Sequence, residues 1–263
     1  MKKILFIVLV TTLVASCSKV AVTGRKQLML VSDAEVLSLS ATAYKQFIDS
    51  VPASKNLAQT ALVQKTGKNI AAAVENYLRA NGLENEIANL KWEFSLVQDS
   101  NVNAFCMPGG KVVFFEGILP ITKTEAGIAV VMGHEIAHAV AKHANERMSH
   151  QMAAQFGGNL AGLLLSNSSL ALQQTIGVLY GLGSQVGVML PYSRKHEHEA
   201  DELGLIFMAM AGYNPTEAIA FWERMAASSK KSAMEFMSTH PSDEKRIAHM
   251  KAVLPKALEY YKN

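Results

Sequence analysis

The segment MGHEIAHAVAKH, residues 132–143, constrains the fold most, because it sets three polar side chains inside an apolar helical run. Positions four apart lie on one face of an α-helix, so His134 and His138 point the same way. Glu135 lies about 100° further round, where it could take a proton from a metal-bound water. The pattern predicts two zinc ligands and a general base. Two core histidines that hydrogen-bond to their neighbours are the alternative interpretation.

A catalytic zinc ion usually takes three protein ligands and keeps a fourth position for water. His143 follows His134 by nine residues, or half a helical turn, so it is expected to face the other side. The metzincin extension needs glycine at position 141 and histidine at 144, and both are alanine here. The third ligand must therefore come from a more distant part of the chain.

The stretch PYSRKHEHEADELG, residues 191–204, contains the remaining candidates. Glu197 and Asp201 are four apart and share a helical face, so a helix that brings Glu197 to the metal brings Asp201 close behind it. There Asp201 could accept the ring N–H of a ligand histidine. His196 and His198 are rival ligands. A His-His-Glu set suits peptide hydrolysis, whereas three histidines suit hydration chemistry.

The hydrophobic pattern predicts an α+β fold that is mostly α-helical, with a small sheet ahead of the central helix. Residues 33–50 and 56–81 are predicted helices. Residues 91–99 alternate as a half-buried strand, and 103–119 form two extended pieces joined by a Pro-Gly-Gly turn. From Glu125 the pattern is helical almost to the end.

The N-terminus is typical of an exported lipoprotein. Residues 1–16 have two lysines, an apolar run and small residues, which indicates a signal peptide rather than a membrane span. The residues before Cys17 resemble a bacterial lipobox, which implies lipid attachment at that thiol and a membrane anchor. By the sorting rule of enteric bacteria, Ser18 then implies transport to the outer membrane. The alternative to lipid attachment is plain secretion with a coincidental cysteine. We predict a lipidated tether over 17–30 and the catalytic domain over 31–263.

Charge and cysteine content exclude some partners and bonds. The chain has a net charge of +3; without Lys2 and Lys3 it has 23 basic and 22 acidic residues, or +1. Because no basic cluster interleaves with aromatic residues, no nucleic-acid partner is expected. If Cys17 is lipidated, Cys106 stands alone and no internal disulfide can form.

Residues 148–193 contain no Lys, Arg, Asp or Glu. A second membrane anchor is one interpretation, but amides and glycines recur through the segment and no apolar run reaches membrane-spanning length. We predict buried or groove-covering helices. A peripheral patch that dips into the bilayer is the alternative.

Four motifs in order resemble one family. HEIAHAVAKH and SRKHEHEAD are similar to the gluzincin metallopeptidases that include HtpX, the CAAX prenyl endopeptidases and small bacterial envelope lipoproteins. VTGRKQLMLVS (22–32) resembles the family's N-terminal signature, NAFCMPGGKVVFFEGIL its edge strand, and THPSDEKRI (239–247) its His-Pro…Arg motif. The short chain looks like the lipoprotein branch. The resemblance implies a zincin-like metalloprotease domain.

The resemblance also implies roles for individual residues. It implies one zinc ion per chain with His134, His138 and Glu197 as ligands. Glu135 would be the general base, and Asp201 would support a ligand histidine.

Two residues of the last motif would complete the site. His240 would lie near the metal, where it would steady the oxyanion or close the site as an extra ligand, and Arg246 would lie in the same corner. From the residues alone, His240 and Pro241 would be a helix-start turn. Cys106 departs from the family's small or apolar residue, and is interpreted as an inert packing thiol or an oxidation-sensitive one.

These residues favour a zinc endopeptidase of the bacterial envelope. The strand with Asn103, Ala104 and Phe105 would bind substrate as an added β-strand, a mode that suits unfolded or misfolded envelope proteins. The outer-membrane assembly machinery is a candidate partner. A zinc-holding chaperone with a closed site is the alternative, and a peptidoglycan crosslink is an alternative substrate.

Overall fold

A short hairpin precedes the helices. The computed structural model describes residues 17–155, 193–228, 236–237, 240 and 244–262, so the predicted leader lies outside the described residues. Strands β1 (Cys17–Lys19) and β2 (Lys26–Leu28) pair antiparallel, and Gly24 takes a left-handed conformation (φ 70°) between them. Val20 and Gln27 are buried, so this hairpin packs onto the rest of the protein.

Two long helices follow at the predicted places. Helix α1 (Asp33–Ser50) begins after Ser32, whose hydroxyl accepts a hydrogen bond from the first turn and so caps it. Helix α2 (Leu57–Ala80) ends just before Gly82, which has a φ of 70°, and the short helix α3 (Glu84–Ile87) comes next. The predictions of helices at 33–50 and 56–81 are confirmed.

The small sheet lies ahead of the central helix, as predicted. Its strands are β3 (Glu93–Val97), β4 (Ala104–Met107) and β5 (Lys111–Phe115), in the order β3-β5-β4. Strand β5 runs parallel to β3 and antiparallel to β4. Gly109 and Gly110 both have positive φ and form the tight turn that reverses the chain between β4 and β5. Strand β4 is therefore an outer strand of the three.

The central helix is apolar on nearly all sides, because other elements surround it. After the short helix α4 (Leu119–Thr122), helix α5 (Glu125–Val140) begins at Thr124, whose side chain caps it. Lys142 follows with a φ of 56° and turns the chain into α6 (His143–Gln155). Residues beyond this turn do not continue the helical phase of α5.

Helix α5 crosses a later helix of the chain at close range. Helix α7 (Arg194–Met210) packs against it at Gly133 and Gly204. A Cβ atom on Gly133 would lie 2.7 Å from the carbonyl oxygen of Gly204, so only glycine allows this approach. Among the described residues, the remaining long helices are α8 (Glu217–Ala227) and α9 (Glu244–Leu258). The crossing brings the two motif-bearing helices together.

The predicted mostly helical α+β fold with a small sheet ahead of the motif helix is confirmed. One continuous core joins side chains of α2, the sheet, α5, α7 and α8. Most of the charge-free segment, residues 156–192, lies outside the described residues. Among the helices that are described, none has the length and apolar character needed to cross a bilayer.

Candidate metal centre

Helix α5 supplies the first part of the site. His134 and His138 lie on one face, with their Nε2 atoms 3.0 Å apart, and both side chains are buried. Glu135 is also buried, and its Oε1 has no hydrogen-bond partner among the described residues. A buried carboxylate oxygen without a partner is costly, so its retention here favours a role in binding or chemistry.

Helix α7 supplies the carboxylate that the sequence predicted. Glu197 Oε1 lies 3.3 Å from His138 Nε2, and its Oε2 lies 3.5 Å from His134 Nε2. The rival histidines point elsewhere. His196 Nε2 lies 2.9 Å from Glu146 Oε2, and the His198 ring stacks on another histidine ring of α9.

His240 completes the group. Its Nδ1 lies 3.3 Å from His134 Nε2 and 3.2 Å from Glu197 Oε1, and its ring stacks on Phe236. Its Nε2 is 3.7 Å from Oε1 of Glu135. His240 is thus inside the cluster, and the helix-start turn is not its main structural role.

The four side chains fit a tetrahedral metal ion. The group that could hold a metal consists of His134, His138, Glu197 and His240, with all four donor atoms within 4.8 Å of one another. Five of the separations between these side chains, counting both oxygens of Glu197, run from 3.0 to 3.5 Å. A tetrahedron with edges of about 3.3 Å has its centre about 2.0 Å from every corner, which is the length of a zinc–nitrogen or zinc–oxygen bond.

Asp201 and Arg246 support this group from behind. Asp201 Oδ1 lies 3.0 Å from His134 Nδ1, where it accepts the ring N–H. Arg246 donates from Nε and Nη2 to both oxygens of Asp201, at 2.6 and 2.7 Å. Its Nη1 lies 2.7 Å from Glu197 Oε2, and its guanidinium covers the Trp222 ring. Helical spacing predicted Asp201 at this position, and the family resemblance implied Arg246 near the metal.

Burial shifts the ionisation of these groups. Burial raises the pKa of the Glu135 carboxyl, and the nearby Glu197 charge adds to that rise. Burial opposes the charged form of His134, yet its hydrogen bonds to the carboxylates of Asp201 and Glu197 raise its pKa to about 9. Burial lowers the pKa of His138 well below its usual value.

The predicted substrate strand lies beside the motif helix. Ala104 and Phe105 belong to β4, which packs against α5, and Asn103 is half-buried just before it. Cys106 lies in the same strand and is buried. Burial, with a smaller contribution from the Glu135 charge, raises the pKa of this thiol well above its usual value, which favours the inert interpretation.

Sequence reasoning missed the residues that lie behind His138. His143, set aside as facing away, lies with its Nδ1 only 2.8 Å from His138 Nδ1. The left-handed residue Lys142 turns the chain back towards α5, so helical phase did not apply at this position. Glu199 and Arg25 lie behind His143. Only tertiary contacts join residues so distant in sequence.

A His-Glu-x-x-His helix, joined by a carboxylate from a later helix, defines a metallopeptidase. The chain belongs to peptidase family M48, whose family model matches residues 64–254. The predicted likeness to gluzincin metallopeptidases is thereby confirmed at the level of the family.

Three relatives show how far the similarity extends. Mitochondrial metalloendopeptidase OMA1 of Schizosaccharomyces pombe is 42% identical over 173 residues, which cover 65% of this chain and 49% of the relative. Human OMA1 is 28% identical over 251 residues, 90% of this chain and 46% of the relative. The Escherichia coli beta-barrel assembly-enhancing protease is 29% identical over 164 residues, 60% of this chain and 33% of the relative. The chain thus spans half or less of these relatives, none of which is named for HtpX or a CAAX endopeptidase.

Proposed function

We propose that this protein is a zinc-dependent endopeptidase of the bacterial envelope that cleaves unfolded or misfolded envelope proteins. The observation that carries the proposal is the buried group of four donor residues beside the buried Glu135 carboxylate, whose Oε1 has no hydrogen-bond partner among the described residues. A purely structural metal needs no such carboxylate, whereas peptide hydrolysis needs a base. Membership of peptidase family M48 supports the same chemistry.

The chain's own residues have distinct roles in this reaction. His134, His138 and Glu197 would hold the ion. When bound, zinc supplies Lewis acidity that polarises the scissile carbonyl and makes water more acidic. Glu135 takes a proton from the attacking water and passes it to the leaving amine. Burial raises the pKa of Glu135, which makes its carboxylate a stronger base for that proton.

His240 would control access to the site. With Nδ1 among the donor atoms, it fits a fourth ligand that closes the site at rest. Release of His240 would free that position and leave the imidazole near the oxyanion. The closed arrangement is also the observation that favours the second candidate function, a zinc-holding chaperone or assembly factor.

The substrate would bind beside β4. This outer strand flanks α5, and Asn103, Ala104 and Phe105 would pair with an extended substrate backbone. Main-chain hydrogen bonding depends little on the side chains of the substrate, so this mode of binding suits unfolded chains.

The envelope location rests on the N-terminus and on one relative. Cys17 directly follows the predicted leader and would carry a lipid anchor. The lipid would hold the protein at the outer membrane, facing the periplasm. The Escherichia coli relative is named for enhancing β-barrel assembly, which supports the assembly machinery as a partner.

Cleavage of denatured casein tests the proposal. Glu135→Gln should keep its zinc, measured by atomic absorption, and lose cleavage by about 10²–10⁴-fold, because only the base is removed. His240→Ala should cleave faster than wild type. If neither wild type nor His240→Ala cuts casein while both suppress its aggregation, the binding function replaces the enzyme. Full cleavage by Glu135→Gln would discard the base assignment.

A further inference from the structure

A line of buried hydrogen bonds leads away from the metal group. His138 Nδ1 lies 2.8 Å from His143 Nδ1, and His143 Nε2 lies 2.9 Å from Glu199 Oε2. His143 is fully buried and Glu199 nearly so. Neither residue has a part in the chemistry proposed above.

The line ends on the N-terminal hairpin. Arg25 donates from Nε to Glu199 Oε2 at 2.6 Å, and the hydroxyl of Thr23 donates to Glu199 Oε1. The terminal nitrogens of the Arg25 guanidinium donate to both oxygens of Glu146, at 2.9 and 2.7 Å. Glu146 also holds His196. Arg25 therefore joins two buried carboxylates. Glu199 is hydrogen-bonded to His143, whereas Glu146 holds His196, whose ring stacks on that of His143.

The ring hydrogens of His138 and His143 have one arrangement that satisfies this chain of hydrogen bonds. If His138 binds the ion through Nε2, its ring hydrogen lies on Nδ1 and is donated to His143 Nδ1. His143 then carries its own hydrogen on Nε2 and donates it to Glu199.

The other ligand histidine has a matching support. His134 is backed by the carboxylate of Asp201, which is paired with Arg246. His138 is backed through His143 by Glu199, paired with Arg25. Each ligand histidine thus leads to a carboxylate of α7 that is held by an arginine from another part of the chain.

We propose that His143, Glu199 and Arg25 are positioning residues for His138, so that the N-terminal hairpin is part of the support of the metal site. The inference rests on the proposed zinc site. Such outer hydrogen bonds fix the tautomer and orientation of a ligand imidazole, and their loss typically weakens metal binding by about 10–100-fold.

Zinc affinity of the full chain, measured by competition with a chromophoric chelator, tests this inference. His143→Asn and Glu199→Gln should each bind zinc about 10–100-fold more weakly than wild type. Glu146→Gln is the matched control, because it loosens the same hairpin but leaves the bond from Arg25 to Glu199. It should bind zinc like wild type, and its Co²⁺ form should keep the wild-type visible spectrum.

The outcomes separate this inference from the proposed function. Wild-type affinity in His143→Asn and Glu199→Gln, or equal weakening in all three variants, would overturn the positioning role while leaving the zinc enzyme intact. A wild-type protein that binds no zinc would overturn both. Should the variants fail to fold, ¹⁵N NMR of wild-type histidine rings decides: a hydrogen on Nε2 of His143 supports the inference, and one on Nδ1 refutes it.

Discussion

At the scale of single residues, the metal centre gathers more negative than positive charge. Glu135, Glu197 and Asp201 are buried within one small region, and Arg246 is the arginine that faces them. Arg246 pairs with Asp201 and Glu197, whereas Oε1 of Glu135 has no hydrogen-bond partner in the part of the chain that the structure describes. Buried charges are costly unless they are paired or bind a metal. A divalent cation would balance the charge that the side chains leave over.

Cys106 gives a prediction at this scale. Because its thiol is buried and its pKa is raised, it should not react with a chromogenic disulfide reagent in the folded protein at neutral pH. The measurement uses Cys17→Ser, so that Cys106 is the one thiol counted. Unfolding in guanidinium should release one reactive thiol. Rapid reaction of the native protein would instead favour the oxidation-sensitive interpretation.

At the scale of elements, the close crossing of α5 and α7 sets the distance between the ligands that each helix carries. Gly133 directly precedes His134, and Gly204 lies one turn beyond Asp201. Any separation of the helices at this point would move Glu197 away from both imidazoles. The two glycines therefore act on the site without touching the metal.

Gly133→Ala tests this crossing. Alanine usually stabilises a helix interior relative to glycine, but here its Cβ would meet backbone, so we expect a loss of about 1–3 kcal/mol in the free energy of unfolding. Zinc affinity should fall too. Gly82→Ala is the control: it has positive φ but open space, so it should lose stability without changing zinc affinity. A stabilised Gly133→Ala with wild-type affinity would contradict the account.

The docking of the hairpin should depend on pH through Glu146. Burial raises a carboxyl pKa, but hydrogen bonds from His196 and Arg25 outweigh it and hold the pKa of Glu146 well below its usual 4.5. A carboxyl with a depressed pKa stabilises the folded state above its unfolded pKa and loses that contribution as pH falls. The stability difference between metal-free wild type and Glu146→Gln should therefore be full at pH 7 and shrink below about pH 4.5. Chemical unfolding at several pH values measures it, and a constant difference would count against the ion pair.

At the scale of the whole molecule, metal binding and folding are coupled. The four donor residues come from α5, α7 and the segment before α9, which lie far apart in sequence. An unfolded chain cannot hold them together, so a bound ion favours the folded state.

Metal removal should therefore lower thermal stability. With free zinc at about 1,000 times its dissociation constant, the ion should contribute about 4 kcal/mol, which corresponds to a melting shift of about 10 °C on chelation. Differential scanning calorimetry with and without chelator measures the shift. Glu135→Gln should keep it, since it is not a ligand, whereas His134→Ala should lose most of it. An unchanged melting temperature in the wild type would argue against a bound ion.

Local spacing predicted part of the site, and the family resemblance implied the roles of Glu197, His240 and Arg246. His134 and His138 share a face because they are four apart on a helix, and the same rule placed Asp201 behind Glu197. The rule failed at His143, because Lys142 leaves the helical conformation and turns the chain back.

The sequence by itself determined the helix that carries the motif, the small sheet before it and the pairing of Glu197 with Asp201, since each depends on periodicity within one element. The family resemblance implied His240 near the metal, but only the tertiary structure decided that its Nδ1 lies among the donor atoms and that Arg25 reaches Glu199 behind His143. Those contacts depend on how separate elements pack, and packing is set by side chains that no local pattern relates to one another.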